Sequence, residues 1–141
     1  MKKTIAALTL LLCTAAYVGA QSNIDPCTGQ KSTAPIAQAA STTLVLGSPA
    51  RKNYVCSLAI VSPDAEKISV VEGTGTACAT TPLALVGATT AASGMSLAAN
   101  SVLTYGNGTG TVAAGTNANF NICLLQSGAG VVSGVMTYVQ Q

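Results

Sequence analysis

The most constraining feature of the chain is a succession of short apolar runs with a period of two, parted by turn residues. Tyr54 to Val61 (YVCSLAIV) alternates so that Tyr54, Cys56, Leu58 and Ile60 share one face, and Phe120 to Gln126 (FNICLLQ) does the same with Phe120, Ile122 and Leu124. Thr42 to Leu46, Ile68 to Glu72, Leu83 to Val86, Met95 to Leu97, Val102 to Tyr105 and a long closing run, Val131 to Val139, complete the set. Ser62-Pro63-Asp64-Ala65-Glu66-Lys67 is turn chemistry, which makes the runs on either side read as a hairpin. After residue 20 no stretch carries a capped helical period; alanine-rich Ala84 to Ala99 comes nearest, but Gly87 and Gly94 weaken it. The expectation is an all-β chain: a single antiparallel β-sandwich or jelly roll of about 7–9 short strands.

Glycine alternates with threonine twice, in VEGTGTACATT from Val71 and in YGNGTGTVAAGT from Tyr105. A phosphate-binding loop would need a lysine after the glycines and a helix behind it. No lysine follows Gly73, and the dinucleotide fingerprint lacks its third glycine and its helix. Gly73, Gly75, Gly108 and Gly110 therefore read as places where strands turn out of a sheet.

The first twenty residues read as a secretory signal peptide: Lys2 and Lys3, an apolar stretch from Thr4 to Tyr17, then the small residues Val18-Gly19-Ala20. The stretch is short for a membrane anchor, and Leu12 before Cys13 is too large for a lipidation site. The expected organisation is signal 1–20, a polar extended leader or arm 21–40, and a β-sandwich domain 41–141. Cleavage would remove two of the six basic residues, leaving Lys31, Arg51, Lys52 and Lys67 against Asp25, Asp64, Glu66 and Glu72, a net charge of zero. With only Arg51 and Lys52 adjacent, there is no basic face for nucleic acid. No membrane partner is expected once the signal is gone.

Cys27, Cys56, Cys78 and Cys123 remain, an even number in an exported chain, and read as two disulfides. They lack the close pairing of zinc ligands, and the chain contains no histidine, so no metal is expected. Four cysteines allow three pairings. Position near the start of strong strands favours Cys56 with Cys123, which leaves Cys27 with Cys78.

The absence of histidine also removes the commonest general base and the usual nucleophile pairs. Asp64, Glu66 and Glu72 are the carboxylates that a glycosidase or a calcium site would have to use, but Asp64 and Glu66 beside Lys67 read as a solvated hairpin tip. No catalytic residue and no cofactor is assigned. Asn107-Gly108-Thr109 fits the N-glycosylation pattern, and Asn-Gly is equally a turn. Tyr54, Tyr105 and Tyr138 are the candidate platforms for a surface glycan, with core packing the expected role of Tyr54 and Tyr138.

Taken together, YVCSLAIVS, VVEGTGTACATTPLALVG, YGNGTG and CLLQSGAGVVSGVMTYVQQ, spanning Asn53 to Gln141, resemble a family of short, uncharacterised exported proteins encoded by tailed phages and phage-like bacterial regions. The resemblance implies a structural role on a virion surface or outside the cell and carries over no active-site residue. A more distant resemblance is to chaperone-usher pilins, through Gly128 and the alternation of Val132, Gly134, Met136 and Tyr138 near the end. The chain departs from pilins in its penultimate Gln140 and its two cysteine pairs. The function expected is a non-catalytic extracellular subunit that associates with itself or with other structural subunits, in a virion or a filament. A small secreted module binding glycans or surfaces is the alternative.

Overall fold

The computed structural model describes residues 24–141; the expected signal peptide lies outside the described residues. Ten strands form two antiparallel sheets. In chain order they are β1 (Ser32–Gln38), β2 (Thr42–Val45), β3 (Asn53–Ser62), β4 (Glu66–Thr74), β5 (Thr80–Val86), β6 (Met95–Leu97), β7 (Ser101–Tyr105), β8 (Ala113–Ala114), β9 (Asn121–Gln126) and β10 (Val132–Gln140). The first sheet has the order β1-β10-β3-β7, with β8 continuing beside β7 along β3; the second has the order β2-β9-β4-β5, with β6 beside β5 along β4. β1 to β4 alternate between the sheets, and β8, β9 and β10 do so again. The last strand thus lies between the first and the third. This is jelly-roll connectivity.

That winding corrects one expectation. The turn at Pro63 to Ala65 carries the chain from one sheet to the other, so β3 and β4 are not a hairpin. An alternating strand looks the same in sequence whether its successor pairs with it or crosses over it.

The apolar face of each sheet closes on the other. Leu58 and Ile60 of β3, Met136 of β10, Ile68 and Val70 of β4, and Ile122 and Leu124 of β9 are fully buried. Each such side chain contributes ~1.5–3 kcal/mol on leaving water. Met136 lies opposite Leu58 in the ladder, and Val70 opposite Leu124, so the core is a set of cross-strand pairs repeated in both sheets.

β1 was expected to be part of a polar arm. Instead Ser32–Gln38 pairs along its whole length with β10, burying Ala34 and Ile36, and the domain begins before residue 41. Pro35 hid it: proline is excluded from central strands but tolerated on an edge, and β1 is an edge. The leader before it is held too, by a 3₁₀ turn at Pro26–Thr28 whose first amides are capped by Asp25.

A bulge in β3 corrects a second reading. Thr137 pairs with Ser57 and its neighbour Tyr138 with Val55, so Cys56 is the extra residue. The insertion reverses which residues face inward. Val55 joins Leu58 and Ile60 in the core, and Tyr54 does not. Further along the same pair of strands the two backbones pass very close at Gly134, opposite Ile60, where a side chain would strike the carbonyl of Ala59.

Candidate functional site

The cysteines form two disulfides, but not in the favoured pairing: Cys27 is joined to Cys56 and Cys78 to Cys123. Each bridge pins a 3₁₀ turn to the strand it follows or precedes in space, Pro26–Thr28 to β3 and Thr76–Cys78 to β9. Cys56 and Cys123 lie in different sheets, and Cys123 faces away from the core, so they have no route to one another through the packed interior. The bridges close loops with separations of 29 and 45 residues, worth ~3–4 kcal/mol each on loop-closure grounds. They place the chain in an oxidising environment.

The two glycine-threonine stretches turn the chain at Gly75 and Gly108 as expected, whereas Gly73 is still inside β4, paired with Asn121. Gly75 (φ 77°) leads into the turn that carries Cys78, and Gly108 (φ 82°) shapes the loop between β7 and β8. In the same loop Asn107 is exposed, its Oδ1 accepting from Thr109 N (3.1 Å) and Thr109 Oγ1 (2.7 Å). The Asn-Gly pair is therefore an Asx turn in an excursion along β3 rather than a hairpin tip.

The carboxylates are scattered in role. Asp64 is exposed, but Glu66 is buried, accepting from Ser62 Oγ and from Gly128 N (3.3 Å), so the two do not form a common solvated tip. Glu72 is also buried; its Oε1 accepts from Thr116 N (2.8 Å) and Thr116 Oγ1 (2.6 Å), while Oε2 has no partner. Glu66 and Glu72 lie six residues apart on one strand, a separation of ~20 Å at the rise of a β-strand. The paired carboxylates of a glycosidase sit ~5–10 Å apart, so these two cannot flank one bond. Each instead ties β4 to a loop at one end of the sandwich. Asp25 does the same for the leader, accepting from Cys27 N (2.8 Å) and Thr111 Oγ1 (2.6 Å). The Thr111 hydroxyl, then the backbone amides of Thr111 and Cys27, lower its carboxyl pKa below the ordinary range.

The tyrosines form no common platform, although the register puts Tyr105 and Tyr138 on the same inward side of the first sheet. Tyr138 packs on the core, Tyr105 is exposed at the end of β7, and the β3 bulge turns Tyr54 away from the core, contrary to its expected role. A shallow recess of about 350 Å³ lies between Gln30–Ser32, Arg51 and the end of β10, with Lys31 and Arg51 at its rim. Among the described residues no group of three histidine, cysteine or acidic side chains converges, and no helix is long and apolar enough to cross a membrane.

The outward faces of the two sheets differ sharply. On the second sheet, Val71 and Cys123 are buried beneath the turn carrying Cys78. Ser69 is buried as well; its Oγ accepts from Ala88 N (3.1 Å) and reaches Thr90 O (3.4 Å) at the 3₁₀ turn Ala91–Ser93. That face is covered by the chain itself. On the first sheet the register sets out rows across β1, β10, β3 and β7. One is Ala37, Ser133, Val61 and Val102; the next is Pro35, Val135, Ala59 and Thr104. A third, Thr33, Thr137 and Ser57, is joined by a hydroxyl contact of 2.7 Å between Ser57 and Thr137. No residue in these rows is charged, and none is larger than valine. Val102 is 64 % exposed, Val61 42 % and Val135 38 %. Sequence periodicity alone could not single out this face, because it does not say which outward positions the loops will cover.

No family model, curated protein or solved structure matches the chain.

Proposed function

We propose that the protein is an exported, non-catalytic structural subunit that works by assembly, on a virion surface or in a filament. The observation that carries this reading is the uncharged, open outer face of the β1-β10-β3-β7 sheet. Contiguous exposed apolar surface on a small domain marks a contact site, and a face without charge offers nothing to nucleic acid or to a charged substrate. Two disulfides suit a subunit that must persist outside the cytoplasm. Jelly rolls build viral capsid domains and lectin domains alike, so the fold by itself does not decide between assembly and glycan binding. Tyr138 is packed on the core, Tyr105 is on the same inward side at the edge and Tyr54 is on the other, so the three make no shared outward platform; this favours assembly, since a sugar platform needs an aromatic surface next to its polar groups.

Immunogold electron microscopy of source culture supernatant, with antibody to residues 24–141, tests the reading. Gold on capsids, tails or fibres is expected. Gold unattached to any particle, with the chain recovered only as a soluble monomer, would overturn it.

A further inference from the structure

We infer that the partner on this face is a second copy of the same chain, packed sheet to sheet about a two-fold axis that passes close to Val135. This rests on the assembly reading above and names its contact. Three observations converge on it.

The first is charge. A partner of opposite charge would find nothing to pair with in the rows of Val61, Val135 and Ala59, whereas an identical uncharged face meets them without repulsion or unpaired charge. The described chain carries four basic and four acidic residues, so two copies approach without net repulsion.

The second is shape. Alanine, serine, threonine and valine leave a flat surface, and two such sheets can approach to the ~10 Å spacing of packed β-sheets. Association through one edge of each sheet is hindered as well: the edge strands β1 and β5 contain Pro35 and Pro82, neither of which has an N–H to offer an added strand.

The third is area. Four strands ~4.8 Å apart, each offering about five residues at ~3.3 Å, make a plane of about 300 Å². A stable two-protein interface takes ~800 Å² per partner. The face is too small for a tight complex and right for a weak, reversible contact. In a two-fold arrangement, self-contact is closest at the axis. Val135, on a central strand and in the middle row, is the residue that meets its own counterpart.

The test uses the purified secreted chain at high concentration. Val135→Cys and Ala59→Cys should each give a covalent dimer on mild oxidation, with the native pairs Cys27–Cys56 and Cys78–Cys123 intact by peptide mapping. Leu83→Cys, exposed on β5 of the other sheet, should not. In sedimentation, Val61→Glu should weaken self-association ~10-fold or more, since it sets like charges against one another across the axis. Central-face cysteines that cross-link no better than Leu83→Cys, or a Val61→Glu chain that associates as the parent does, would overturn the inference. Gold on particles together with that failure leaves the assembly reading standing on a different surface. Cross-linking together with unattached gold keeps the face contact and removes the assembly reading.

Discussion

The two sheets are built alike and finished differently. Each has four strand positions, each takes its inward face from two long central strands, and each is tied to a 3₁₀ turn by a disulfide. On the β2-β9-β4-β5 sheet the chain folds back over the outer surface. Residues that point outward, Ser69, Val71 and Cys123, end as buried as the core. On the β1-β10-β3-β7 sheet the outward residues are equally small and uncharged, but nothing within the described chain covers Val61, Val102 or Val135. Composition alone therefore does not make a surface into core or contact; coverage does. A face made of core-like residues and left bare has the chemistry of an interface without the partner.

The difference can be broken at several levels. The largest effect should come from the bridges. Replacing Cys78 and Cys123 with alanine should destabilise the fold by ~2–5 kcal/mol in chemical denaturation. It should cost more than replacing Cys27 and Cys56, because the longer loop is opened and the cluster around Val71 loses its cover. Equal losses would mean that the covered face draws nothing from its buried cluster.

Next is a matched pair of outward positions. Ser69→Ala leaves the amide of Ala88 without its acceptor under the covering loop, an expected loss of ~1–3 kcal/mol. Val61→Thr on the bare face should change monomer stability by less than ~0.5 kcal/mol. A large loss at Val61 in dilute solution would show that the open face supports the monomer fold and is not free for a partner.

The smallest effect concerns the leader. Asp25 has a lowered carboxyl pKa, from its hydrogen bonds with Thr111 and Cys27, so its stabilisation is present above the ordinary carboxylate range and is lost as pH falls through the lowered folded value. The protection factor of the Thr111 amide, its exchange rate divided into the intrinsic rate at each pH, should fall at acid pH in the parent chain. In Asp25→Asn the protection should be low at all pH values and flat through that range. An unchanged profile would remove Asp25 from the account of how the leader is held.

Much of this was legible in the sequence, and the failures share a cause. The alternation in β3, β9 and β10 identifies strands because one face of each meets a continuous core, and the four cysteines identify a disulfide fold. The pairing was not legible: Cys56 and Cys123 look matched as strand cysteines, yet each is sealed by the turn next to it rather than by the other. β1 was obscured by Pro35, whose edge position is a fact of topology. The inward turn of Glu66 was obscured because charge near a turn reads as solvent-facing, while Ser62 and Gly128, which hold it, come from other segments. The bulge at Cys56 inverts the first residues of β3, Asn53 to Val55, without changing its apolar pattern. Of the proposed contact face, the small uncharged residues were visible in the sequence; their adjacency required the β1-β10-β3-β7 register, and their openness required knowing where the loops go.

The most direct test of the central claim is hydroxyl-radical footprinting of the purified chain in dilute solution and at high concentration. The account predicts that labelling of Val61, Val102 and Val135 falls as concentration rises, while that of the equally exposed Leu83 and of Leu46, outside these rows, stays constant. Constant labelling of the three valines, or protection of Leu83 and Leu46 in their place, would contradict it.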